Sequence, residues 1–356
     1  MKLKTFIAFA GITLTAAAAA MFAVSGRNVA PPADPGAGQP LIPGLAQRIN
    51  QVTVLVVGTA SQTATFVRPD PETDRWTLVE KSGYAADTDL VRRVIVSLAL
   101  SRTVESRTSK PEQYARLALS DDTATTVTLR CADGQDLPGL FIGKTVTAAT
   151  AEREGTFYVR RSGDAMAWMA EGRLPPLTTD PMQWLPRDLP SLPRARVASV
   201  TVSRPNGDDI AISRKDPALS DFTVSGLPRN AKLKQAKINE LAGASEFLAF
   251  EDVAPLEPNA PPPAVVTTLR SFEGEVLTIR ISRRDGRSWV NFAASSEGKA
   301  TSPEAEQRIK DAQAKYDGWS YRLSDAAVKD LAPSSDDLME IGAGVSGPGG
   351  GQGRRP

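Results

Sequence analysis

The sequence predicts an α+β protein: two tandem repeats, each a mainly antiparallel sheet with a packed helix, behind an N-terminal hydrophobic helix. Three observations point there. Short segments alternate apolar and polar residues with period two, the mark of half-buried strands. Each half of the body holds one stretch with helical apolar spacing. The segments also recur in the same order, at offsets of 148, 146 and 140 residues, a drift that loop insertions explain.

The N-terminal region, residues 1–26, reads as a membrane anchor or signal peptide. Lys2 and Lys4 precede an uncharged run from Thr5 to Gly26. It is just long enough to span a bilayer, and Ala23-Val24-Ser25 also offers a signal cleavage site. Both readings place the body outside the cytoplasm. The basic start against a lone Arg27 favours an N-in orientation, so an anchor would give a single pass in the inner membrane with a periplasmic body. Cleavage would release that body to the periplasm. Residues 27–46, rich in Pro, Gly and Ala, read as a linker holding the body off the membrane.

The first repeat is assigned to residues 47–192. Arg48–Val54 opens it, followed by strands at Ala64–Arg68 and Trp76–Leu78. Thr88 or Asp89 then caps a helix with Leu90, Val91, Val94, Ile95 and Leu98 on its apolar side. Strands at Thr125–Arg130, Gly139–Ile142 and Thr156–Arg160 complete it, and Ala167–Met169 closes it. The second repeat, residues 193–341, matches in order. Arg196–Val202, Asp209–Ser213 and Phe222–Val224 precede a helix carrying Ile238, Leu241 and Ala242. Val265–Arg270, Leu277–Ile281 and Ser288–Phe292 follow. Gly134 and Gly274 sit at the same distance past matching strands, as turn residues. The second copy adds a charged helix at Ser302–Lys315, a strand at Gly318–Leu323 and a short helix at Asp325–Leu331. Residues 342–356 form a Gly-rich tail read as disordered.

Composition excludes common chemistries. There is no histidine, which removes the usual general base and imidazole metal ligands. The one cysteine, Cys131, excludes an intrachain disulfide and multi-cysteine metal sites. With 42 basic and 41 acidic side chains, no electrostatic case arises for nucleic acid.

Candidate motifs resolve to structural roles. Gly139–Thr145 has three residues between its glycines where a phosphate loop needs four. Ser296 and Lys299 have serine–lysine spacing but lie in a polar loop. Asp121-Asp122, Asp208-Asp209 and Asp336-Asp337 read as turns or caps. Asp133–Asp136 is too short for a calcium loop. Cys131 reads as an inert thiol, and Trp76, Trp168, Trp184, Trp289 and Trp319 mainly as core. No catalytic, cofactor-binding or metal-binding residue is assigned, and no ligand is identified.

Arg75–Leu78, Leu90–Leu100, Tyr114–Leu117, Thr126–Arg130, Leu140–Gly143, Phe157–Arg160 and Gly318–Tyr321 together resemble a bacterial family, the domain of unknown function 4340, over roughly residues 45–340. The resemblance implies a membrane segment at the N-terminus and a place beside ABC-transporter components of the gliding-motility type. It implies no catalytic residues. The function expected is a membrane-tethered periplasmic accessory or scaffold protein contacting the inner membrane and ABC-transporter membrane components. The alternative is a module binding envelope glycan or lipid in a groove between the repeats.

Overall fold

The computed structural model describes residues 34–228, 231–258, 260, 262–298 and 302–340. The hydrophobic run 1–26, Lys299 and the tail 342–356 lie outside the described residues. The described chain is α+β, with two antiparallel sheets and few helices. Its described residues form two compact units, residues 34–77 with 87–180, and residues 78–86 with 181–340.

The first unit begins with a correction. Residues 34–46 are not a spacer. Leu41, Ile42 and Leu45 are fully buried, Leu45 in the short helix α1 (Leu45–Arg48). The Arg161 guanidinium donates to the carbonyls of Pro40 and Leu41, both at 2.8 Å. Pro and Gly dominate the composition of this segment, but three aliphatic side chains decide its fate. Burying each is worth about 1.5–3 kcal/mol.

Strand β1 (Val52–Gly58) starts after Arg48, not at it, because residues 45–51 coil into helical turns. It pairs with β2 (Thr63–Val67), setting Leu55 opposite Phe66 in the core. Next come β3 (Thr77–Leu78) and β4 (Tyr84–Ala85), the latter within the segment that groups with the second unit. Helix α2 (Thr88–Leu100) is capped by Asp87, one residue before the expected caps. The Asp87 carboxylate accepts from the Leu90 N–H at 2.9 Å. Val91, Val94, Ile95, Leu98 and Ala99 form its buried stripe.

Strand β5 (Arg102–Thr108) follows, and sequence periodicity does not anticipate it. Helix α3 (Tyr114–Leu117) and strands β6 (Thr125–Cys131), β7 (Leu140–Thr147), β8 (Gly155–Arg161) and β9 (Ala167–Gly172) complete the unit. The sheet order is β4-β3-β2-β1-β6-β7-β8-β9-β5. The chain therefore passes from β3 through α2 to the far edge before returning to the middle.

The second unit holds β10 (Val197–Ser203), β11 (Ile210–Ser213), β12 (Thr223–Ser225), α4 (Gln235–Leu241), β13 (Phe250–Pro255), β14 (Val265–Ser271), β15 (Glu275–Arg284) and β16 (Arg287–Ser296). Helix α5 (Pro303–Tyr316), β17 (Trp319–Leu323), α6 (Asp325–Leu331) and α7 (Ser335–Leu338) finish it. Its order is β12-β11-β10-β14-β15-β16-β17-β13.

Tyr321 centres the aromatic core here. Its ring lies 5.4 Å from Phe250, 5.6 Å from Phe292 and 6.1 Å from Tyr84, each centroid to centroid. The hydroxyls of Tyr84 and Tyr321 share a hydrogen bond at 3.3 Å. Burial pushes both phenols above their ordinary pKa, because the phenolate would lose its hydration.

One buried guanidinium recurs in each unit. Arg214 donates to five carbonyls, those of Arg194, Ala195, Val197, Pro217 and Leu219. It stacks on Phe222 at 4.8 Å. Arg68 donates to the Asn50 carbonyl and stacks on Trp76 at 5.8 Å. In both, the arginine ends the second strand and locks the helical turn before the first.

Candidate functional site

The motifs weighed in the sequence occupy structural positions. Gly139–Thr145 runs into strand β7, with no helix after it to converge backbone N–H groups. Asp121 pairs with Arg160 at 3.6 Å. The Asp209 carboxylate accepts from the Arg204 N–H at 2.9 Å, and Asp208 takes a hydrogen bond from the Ser335 hydroxyl at 2.6 Å. Asp337 forms a capping box with Ser334. The Asp133 carboxylate turns the chain by accepting from the Gln135 N–H at 3.0 Å, and Asp136 binds Arg130 at 2.6 Å.

Cys131 is buried, and desolvation pushes its thiol pKa up, Arg48 opposing only in part. Trp76 and Trp184 are buried; Trp168, Trp289 and Trp319 are partly so. Among the described residues no cluster of three or more carboxylates and cysteines could hold a metal ion.

The feature with the character of a contact surface lies elsewhere, in the second unit. A cleft of about 610 Å³ opens between α4, the loop after it and the C-terminal helices α6 and α7. Leu241, Leu248, Pro333 and Leu338 give it an apolar lining, with Phe247 at one side. Phe247 is 92% exposed. Its ring adds exposed apolar surface beside the apolar lining of the cleft.

Local sequence builds this site. Helix α4 buries Ile238 and Leu241 on one face and sends Lys237 and Glu240 outward, 2.5 Å apart. Ser324 caps α6 by accepting from the Ala327 N–H at 3.2 Å. At α7, the Ser334 hydroxyl and N–H both donate to the Asp337 carboxylate, at 2.8 and 3.0 Å. Lys329 meets the same carboxylate at 2.9 Å. That ammonium, then the Ser334 donors, hold the Asp337 pKa down to about 2. The C-terminal segment is fixed by Lys234 N–H to the Leu338 carbonyl and Glu340 N–H to the Lys232 carbonyl, at 2.9 and 2.8 Å.

Three lysines and three carboxylates rim the cleft. The balance gives no net field for a highly charged ligand. The cleft thus combines an apolar lining, a charged rim and an exposed aromatic ring at its side. Phe247 is not legible in the sequence, because nothing in Ala244–Phe250 distinguishes a solvated phenylalanine from a core one.

Fold and site together define an α+β protein of two antiparallel sheets, with most motif-like charged groups engaged in caps, turns and ion pairs. The chain belongs to the family described as domain of unknown function (DUF4340), whose model matches residues 76–268, more than half of its length. No curated protein matches the chain.

Proposed function

We propose that this chain is a membrane-tethered extracytoplasmic scaffold, acting by contact beside an ABC-type transporter complex. The observation that carries the contact reading is Phe247, solvated at the edge of an apolar cleft with a charge-balanced rim. The hydrophobic run at residues 1–26 supports the tether, by its length and basic flank. Among the described residues no helix is long and apolar enough to cross a membrane, so the tether rests on that run.

The proposal includes an origin by duplication of one α+β unit. The second sheet repeats the strand order of the first, with β10 in the place of β1 and β13 in the place of β5. A bulge interrupts β1 between Val52 and Val54, and β10 between Val197 and Ser199. The buried arginines Arg68 and Arg214 hold equivalent places. These counterparts lie about 145 residues apart. The match of Arg48–Val54 to Arg196–Val202 is therefore three residues out of register, and Val52 answers to Val197. Burial agrees, since both strands bury their first, fourth and sixth residues.

Co-purification from crosslinked membranes tests the function. Recovery of a transporter membrane component with the full chain is the expected result. Recovery of the chain alone would count against it.

A further inference from the structure

We propose that the first unit binds a long-chain fatty acid in a second cleft, between the β7–β8 hairpin and the extended segment after β9. This open cleft has a volume of about 580 Å³, within the roughly 300–1,000 Å³ typical of small-molecule sites. Ile142 and Phe157 floor it, and Leu174–Leu177 form one wall. No acidic residue lines it. The single ionised side chain in its lining is the exposed Arg173, whose guanidinium makes no ion pair among the described residues.

The hairpin is built irregularly at this place. The β7–β8 register shifts between Ile142 and Thr145, and again between Thr145 and Thr147. Such bulges re-aim side chains, and here Thr145 and Thr147 join Ile142 in lining the cleft. The counterpart hairpin β15–β16 pairs without interruption from Glu275–Ser296 to Arg284–Arg287. One unit thus departs from regular pairing where it has a cleft, and the other does not.

The chemistry of the lining selects the ligand. The lining is mainly apolar, with the hydroxyls of Thr125, Thr145 and Thr147 and no carboxylate, so it disfavours cations. Its apolar residues suit an alkyl chain. A free guanidinium offers a planar fork matched to a carboxylate. The occupant is therefore an amphiphile with one carboxylate head and an apolar chain.

A diazirine-bearing hexadecanoate tests this with the full chain in nanodiscs. Photolabelling followed by peptide mapping is expected to place label on residues 140–160 and 172–178. Thr145→Trp, at an exposed strand position, fills the trough and should abolish that label. Arg173→Gln should reduce it about tenfold, as should replacing the probe by the corresponding alcohol, since each removes one charge-assisted pairing. Label confined to other segments, or insensitive to Thr145→Trp, would overturn the site. Equal labelling by acid and alcohol, or full labelling of Arg173→Gln, would overturn the carboxylate assignment.

Discussion

Arg214 shows how a single side chain can fix a turn that hydrophobic pattern leaves open. Its five donors satisfy five carbonyls, that of Val197 in a fully buried hydrogen bond and the other four nearer the surface. Lysine cannot replace that fork, because three donors on a flexible stem cannot reach the same set. Arg214→Lys should lower unfolding free energy by about 2–4 kcal/mol in urea titration, with the m-value unchanged. Sequence gave no hint of this role, since an arginine at a strand end reads as a solvated residue.

Asp337 gives a pH dependence with a definite sign. Its folded pKa, about 2, lies below the ordinary aspartate range. The carboxylate therefore stabilises the fold above about pH 4, and that contribution is lost as pH falls toward 2. Wild type and Asp337→Asn should differ in urea midpoint at pH 6 and converge near pH 2. A difference that persists at pH 2 would show that geometry, and not charge, is what Asp337 supplies. Cys131 offers a simpler check. Its buried thiol should resist a disulfide reagent in the folded chain and react promptly in urea.

Helix α5 is attached differently from α2. Helix α2 buries five side chains, whereas α5 buries only Ala305 and Tyr316 of its fourteen residues. Charge replaces the missing apolar face. Arg308 meets Glu275 at 2.6 Å and also Glu273, Lys315 meets Asp188, and the Gln313 amide donates to the Ala294 carbonyl at 2.8 Å. Glu275 is largely buried, so its partners matter more than a surface pair would. Arg308→Ala should lower the opening free energy of residues 303–316 by about 1–3 kcal/mol in native-state hydrogen exchange, leaving β15 and β16 unchanged. Lys315→Ala should cost less than about 1 kcal/mol.

Legibility at the element scale followed burial. Strands with a buried face, such as β6 and β14, stand out in the sequence because alternation is strong there. Strands β5 and β13 do not, because these edge strands carry charge, exposed at Glu105, Arg107 and Glu251 and half-buried at Arg102 and Asp252. Helix α5 is legible as a charged helical stretch, and in the structure Ser302 caps it with Pro303 at its first position. Residues 34–46 were misread because Pro and Gly outnumber the three aliphatics that bury them.

At the scale of the molecule, the α+β class and the order of most elements could be read from periodicity. The long crossover to the far sheet edge could not, because it depends on the two edge strands that pattern concealed. The cleft beside Phe247 is equally hidden from the sequence. It is assembled from residues 234–248 and 327–338, segments brought together only by folding. No local motif announces a surface of that kind, and Phe247 becomes conspicuous only once its exposure is known.

The central claim is that this cleft, with Phe247 at its side, meets a membrane-complex partner. A photoreactive phenylalanine analogue placed at position 247 of the full chain, irradiated in native membranes, tests it most directly. The account predicts a discrete crosslinked product containing an ABC-transporter membrane component, lost when Leu241→Asp spoils the cleft and absent when the analogue replaces exposed Val146 instead. A chain that yields no adduct from position 247, or the same adducts from positions 247 and 146, would contradict it.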